Sequence, residues 1–320
     1  MKEFNLIEDF FKAKSIQRKD VIIGIGDDGA VTHVPQGQAL VTTTDTLLSG
    51  VHFLADTPAH AIAQKAIAVN LSDLAAMGAQ PAWISLSLSM PEMDENWLQD
   101  FSNGLQQHAE YYSVQLIGGD TVKGPLAITI TAQGFVPVSQ AITRSQAKAG
   151  DSVYVTGTLG DAGLGLHLAQ KKIVIENQQH QDYLIKRLNY PTPRLLIGTS
   201  LRRVASSCID ISDGLVSDIQ HILKSSQCGA TLHVDKLPLS YALKDSVSSE
   251  QAIDYALGAG DDYELLFTVS EEQKVPLETT FASANVSATC IGQLNGNIGK
   301  LELRQGDKPF TYTGIGYHHF

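Results

Sequence analysis

Cysteine is scarce: Cys208, Cys228 and Cys290 are the whole complement of 320 residues, and no two stand in C-x-x-C spacing. An odd, scattered set argues against a disulfide framework and against a thiolate zinc site; it fits a reducing compartment, so a cytoplasmic location is expected. Basic residues are in deficit, 23 Lys and Arg against 34 Asp and Glu, for a net charge of −11. Nucleic acid and anionic membranes both need clustered Lys and Arg, so neither is expected as a partner. No apolar run approaches the length of a membrane span. The acidic, amphipathic opening from Met1 to Phe10 has the character of neither a signal nor a transit peptide. Two ATP-binding signatures are missing, the G-x-x-x-x-G-K-[ST] loop and the V-A-I-K, H-R-D, D-F-G set. What is present suffices for a sizeable core, since hydrophobic residues make up 43%; the length suits two moderate domains.

Ile84, Leu86, Leu88 and Met90 alternate with Ser and predict a half-buried strand. Ala39–Thr44 reads as a strand ending in Asp45, Ala59–Met77 as a long Ala-rich helix, and Trp97–Tyr111 as a second helix. Val114–Ile117 reads as a short strand running into Gly118-Gly119-Asp120, and Leu126–Val136 alternates again. Helices fall between strand pairs rather than after every strand, which favours α+β over a doubly wound sheet. The polar segment Arg144–Gly150 marks a boundary, dividing the chain into residues 1–145 and 146–320. Beyond it come a strand at Ser152–Thr156, a glycine-rich turn opening a helix that ends near Ala169, a polar stretch at Glu176–Asp182, and strands at Ala230–Val234 and Tyr263–Val269.

Acidic groups recur where glycines or strand ends are expected: Asp27-Asp28, Asp45, Asp73, Asp120, Asp210 with Asp213, and Asp261-Asp262. Asp and Gly favour turns for purely local reasons. The repeated pattern also suits Mg²⁺, a hard cation held by one or two carboxylates plus phosphates and water. Thr42-Thr43-Thr44-Asp45 sets hydroxyls beside a carboxylate. Asp73 shares a helix face with Ile62, Ala66, Asn70 and Met77, where a lone carboxylate needs a metal or a cation such as Lys65. The loop Gly157–Gly165 lacks G-x-G-x-x-G spacing. Phosphoryl transfer needs positioning and charge neutralisation more than covalent chemistry. No Ser-His-Asp or Cys-His arrangement stands out, and no covalent nucleophile is expected.

From Gly24 onward the chain resembles the thiamine-monophosphate kinase family, within the superfamily of aminoimidazole ribonucleotide synthetase and selenophosphate synthetase. The resemblance is carried by Gly26-Asp27-Asp28, Thr43-Thr44-Asp45, Gly50-Val51-His52-Phe53, Asn70–Gly78, Ile117–Thr121, Arg144, Gly157–Asp161, Asp210–Leu215, Gly260–Leu265 and Gly316–Phe320. It implies a two-domain α+β or α/β fold of the aminoimidazole ribonucleotide synthetase type. The N-terminal sheet would pair across a homodimer, and the active site would lie in the interdomain cleft. It also implies direct in-line transfer of the ATP γ-phosphoryl group to thiamine monophosphate, with several Mg²⁺ ions.

By that resemblance Asp28, Thr43, Thr44, Asp45, Asp73, Asp120, Asp210 and Asp213 are metal ligands. Gly119, Asp120, Arg144 and Ser212 contact ATP, with Tyr112 on the adenine side. His52, Asp261 and Tyr317 contact thiamine monophosphate; Asp261 stands where the family more often has Glu, and Tyr317 where Trp or another aromatic occurs. Two alternatives remain open. Another ATP-dependent enzyme of the superfamily is disfavoured by the lack of any Cys before Cys208 and by the Gly-Val-His-Phe and terminal aromatic motifs. A non-catalytic metal- or nucleotide-binding regulator is the second.

Overall fold

The computed structural model describes residues 7–12 and 16–314, with side chains from Phe10 onward. They divide into two compact units, Met1–Leu74 with Ala79–Ser139, and Ala75–Gly78 with Gln140–Phe320. In the first unit a short antiparallel pair, β1 (Val21–Ile23) and β2 (Val31–Thr32), brackets the Gly24–Gly29 turn. Then come β3 (Gln38–Leu48), α1 (Ala59–Ala76), β4 (Gln80–Met90), α2 (Glu95–Tyr111), β5 (Gln115–Lys123) and β6 (Ala127–Pro137). Their sheet runs β3-β6-β4-β5, with β4 and β5 parallel and the other neighbours antiparallel.

Alternation on β4 does what its serines predict: Ile84, Leu86, Leu88 and Met90 are buried, while Ser85, Ser87 and Ser89 lie on the more open face. Helix α1 is buried nearly all round, because its alanines let neighbours come close. Helix α2 is capped by Asp94, whose carboxylate accepts from the amides of Asn96 and Trp97. It approaches α1 so closely that a Cβ on Gly104 would strike the His60 backbone. Two strands run further than expected. β3 continues through Asp45 to Leu48, because its ladder to β6 is unbroken from Gln38 to Leu48; Asp45 therefore lies within the strand, opposite Ile130. Likewise β5 continues through Gly118-Gly119-Asp120 along β4.

The second unit contains β7 (Ser152–Thr156), α3 (Asp161–Ala169), α4 (Gln178–Asn189), α5 (Leu195–Ser200), β8 (Ser207–Asp210), α6 (Leu215–Ser226), β9 (Gly229–His233), α7 (Tyr241–Ser246), α8 (Ser249–Gly258), β10 (Leu265–Val269), α9 (Lys274–Ala284), β11 (Ala288–Asn295), β12 (Leu301–Gln305) and β13 (Lys308–Pro309). The sheet order is β13-β12-β9-β11-β7-β10-β8, antiparallel except for β9 with β12. All five residues of β10 are buried. Leu266 joins one core with Val155, Ile209 and Ile219, while Leu265, Phe267 and Val269 join another with Leu277 and Phe281. Both sheets are thus mostly antiparallel with helices packed on them, the α+β arrangement. The polar stretch after Glu176 becomes helix α4, because Asn177 caps it by accepting from the amides of Gln179 and His180. Tyr263 lies outside β10, at φ +50°.

Candidate active site

In the first unit, β3 and α1 bring three of the expected metal ligands together. Thr43 Oγ1 donates to Asp73 Oδ2 at 2.5 Å, and the Asp45 amide donates to Asn70 Oδ1 at 3.2 Å. Asn70 in turn donates to the Ala66 carbonyl, which fixes its side chain against the helix. Burial pushes the Asp45 carboxyl up to about 6, and the neighbouring Asp73 charge adds to the rise. Two close carboxylates that resist sharing negative charge suit a divalent cation. Thr44 does not join them. The strand's two-residue alternation turns its hydroxyl to the opposite face, where it bonds Thr131 Oγ1 at 2.9 Å.

A second group lines an open cavity of ≈ 500 Å³: Asp27, Asp28, Gly118, Gly119, Asp120 and Lys12, the last residue of a short helical segment, Ile7–Lys12. The chain approaches β4 so tightly here that a Cβ on Gly119 would run into the Leu86 carbonyl oxygen, so the second glycine of the pair has a steric cause. Asp27 and Asp120 each accept from the backbone amide of the following residue. Among the described residues, no group of three or more His, Cys, Asp or Glu is assembled to hold a metal alone. Mg²⁺ asks less of the protein when a nucleotide supplies phosphate oxygens. His52 occupies the turn after β3, where its Nδ1 accepts from the Leu48 amide and its carbonyl from Lys65 Nζ. Tyr112 packs edge-on against His108 and Tyr111 and is not among the residues lining the cavity.

In the second unit Asp210 ends β8, and Ser212-Asp213-Gly214 turns into α6. One buried carboxylate organises this turn. Asp218 Oδ2 accepts from the amides of Ser212 at 3.0 Å and Asp213 at 3.1 Å. Burial pushes Asp218 up to about 7 and the Asp213 charge adds to that, against the pull of the two amides and, less, of Arg144. Arg144 is itself exposed and therefore open to an incoming anion. The second acidic loop is stitched to the first: the Asp261 amide donates to the Ser212 carbonyl and the Tyr263 amide to the Ile211 carbonyl, both at 2.9 Å. Arg144, Ser212, Asp213 and Asp261 thus belong to one neighbourhood. Cys208 beneath it is buried, with its thiol pushed up by burial and by Asp210, so it has no nucleophilic character. Tyr317 lies outside the described residues.

In the sequence Asp261-Asp262 reads as one acidic turn. The two part company: Asp261 is half-buried on the loop, and Asp262 is 1% exposed beneath it. Asp262 Oδ2 accepts from the Gly160 amide at 2.6 Å and Oδ1 from the Ala162 amide at 3.3 Å. Glu264, fully buried, accepts from Thr156 Oγ1 at 2.6 Å, from Arg187 Nη2 at 3.0 Å and from both Nε and Nη2 of Arg194. On either side of Asp262, Asp261 and Tyr263 hold φ of +68° and +50°. Such conformations cost on the order of 1–3 kcal/mol each and persist where the surroundings over-determine them.

Both units match domains of one class. The model for AIR synthase related protein, N-terminal domain, matches residues 26–136, and that for AIR synthase related protein, C-terminal domain, matches residues 148–302. Thiamine-monophosphate kinase of Escherichia coli (strain K12) is 48% identical over 99% of this chain and 98% of its own length. The solved thiamine-monophosphate kinase from Stenotrophomonas maltophilia K279a superposes with a TM-score of 0.86 at 41% identity, covering 93% of this chain and 95% of its own. AaThiL complexed with AMPPCP and TMP gives 0.79 at 33% identity, over 99% and 97%. The chain belongs to the thiamine-monophosphate kinase family.

Proposed function

We propose that this protein catalyses ATP-dependent phosphorylation of thiamine monophosphate to thiamine diphosphate, by direct in-line transfer of the γ-phosphoryl group. The match along nearly the whole chain to thiamine-monophosphate kinases carries the reading, together with a relative of equal extent solved with AMPPCP and TMP.

Mg²⁺ would neutralise phosphate charge during transfer. Asp28, Thr43, Asp45, Asp73, Asp120, Asp210 and Asp213 would hold several such ions between them, with Thr44 contributing through its backbone oxygen because its hydroxyl is turned away. Gly119, Asp120, Arg144 and Ser212 bind ATP: Gly119 and Asp120 lie on the cavity wall, and the exposed guanidinium of Arg144 meets its phosphates. His52, Asp261 and Tyr317 receive thiamine monophosphate, with the tyrosine face suited to the cationic thiazolium ring. Residues 1–145 form the metal-binding and dimerisation domain, and residues 146–320 complete the nucleotide and substrate sites. The working form would be a cytoplasmic homodimer, without a nucleic-acid or membrane partner. Incubation with ATP, Mg²⁺ and thiamine monophosphate should give equal amounts of ADP and thiamine diphosphate, and EDTA should stop the reaction. ATP binding without thiamine diphosphate would overturn the reading.

A further inference from the structure

We propose that Asp262 and Glu264, clamped by Arg187 and Arg194, are positioning residues that set Asp261 for the acceptor substrate. The inference rests on the reading that Asp261 contacts thiamine monophosphate. Three observations carry it.

First, the chain just after Asp261 is held at two points by side chains that cannot reach solvent. Asp262 is 1% exposed and Glu264 is fully buried, and each has both carboxylate oxygens engaged. Asp262 holds the loop to the Gly160 turn, where α3 begins with no side-chain cap of its own. Glu264 holds it to α4 through Arg187 and to the start of α5 through Arg194. Second, the residues on either side of Asp262 have the unfavourable backbone. Asp261 and Tyr263 both sit at positive φ without being glycine. Relaxing either would swing the Asp261 side chain away from the Ser212 turn to which its own amide is bonded. Third, the network ties itself together. Arg187 Nη2 also donates to the carbonyls of Thr158 and Asp262, and its Nε lies 3.7 Å from buried Asp161. Asp161 accepts from Thr158, Tyr183 and Ser240. Buried ion pairs are weak contributors to stability and are best attested as devices that fix one arrangement among several. Here the arrangement they fix is the backbone that presents Asp261.

The pairing of Arg194 is two-pronged, Nε to one Glu264 oxygen and Nη2 to the other. Lysine keeps the charge and loses that fork. Arg194→Lys should therefore raise KM for thiamine monophosphate at least ten-fold while KM for ATP stays within two-fold. Asp261→Ala should do the same. The double variant should be no worse than Asp261→Ala alone, because a residue that acts through Asp261 has nothing left to position. Glu264→Gln gives a second perturbation of the same clamp, and thermal unfolding of every variant shows whether it is folded at the assay temperature. Unchanged KM for thiamine monophosphate in folded Arg194→Lys, an equal rise in both KM values, or additivity in the double variant would each overturn the inference while leaving the kinase reading standing. Wild-type protein that turns over no thiamine monophosphate would overturn both.

Discussion

Thr43 and Asp73 are joined across 2.5 Å, hydroxyl to carboxylate, and this contact ties β3 to α1. Thr44, one residue on, faces the other way and bonds Thr131. On the metal assignment proposed above, Thr43 acts through its side chain and Thr44 through its backbone. Thr43→Val should lower kcat/KM about ten-fold or more, the scale of roughly 1.4 kcal/mol for a lost charge-assisted bond. Thr44→Val keeps its carbonyl and should stay within about two-fold. Steady-state kinetics at fixed Mg²⁺ check the pair, and equal losses would contradict the assignment.

Asp45→Asn and Asp73→Asn should abolish turnover with the fold intact. Asp45→Asn should also raise the metal-free melting temperature, because it removes a carboxyl that burial and Asp73 already oppose. Calorimetry with and without Mg²⁺ reads this directly. A variant that still gains stability from Mg²⁺ as the wild type does would exclude Asp45 as a ligand.

Much of the site's framework was legible in the sequence. The serine alternation of β4, the alanine helix α1 and the order of the acidic motifs all follow from local periodicity and spacing. Thr44 was legible too: with Thr43 and Asp45 on one side of a strand, period-two geometry sends Thr44 to the other. Reading a strand end at Asp45 hid that signal, because only the ladder to β6 shows that the strand continues. Asp218 carried a weak clue in its place on the first turns of α6, close enough to reach back to Ser212. Asp262 and Glu264 carried almost none. Their partners Gly160, Arg187 and Arg194 lie 70 to 102 residues away, and no local pattern announces such pairing.

Asp218→Ala should weaken ATP binding more than it weakens acceptor binding, since it releases the Ser212 and Asp213 amides together. Each buried amide left without a partner costs about 1–3 kcal/mol. Asp218→Asn keeps an acceptor oxygen and should retain more of the affinity. Nucleotide titration calorimetry separates the two variants; equal affinity in Asp218→Ala and wild type would contradict the role given to this carboxylate.

Burial pushes the Asp262 carboxyl up to about 8, against the pull of Arg187 and of two backbone amides. An unfolded Asp titrates near pH ~4. The folded state therefore holds this proton more tightly, and the group's contribution to stability is lost as pH rises from about 4 to about 8. Asp262→Asn lacks that titration. Relative to wild type, its stability should improve by on the order of 1 kcal/mol per pH unit across the middle of this window. Urea unfolding of both proteins at pH 5 and 7 measures the change; a constant difference would contradict it.

The central claim is that the γ-phosphoryl group passes from ATP directly to thiamine monophosphate, without a covalent enzyme intermediate. Rapid quench with ATP labelled at the γ-phosphate tests it most directly. Label should appear in the terminal phosphate of thiamine diphosphate, in step with ADP, and none on the protein at any time. Label on the protein before product, or release only as inorganic phosphate, would contradict it.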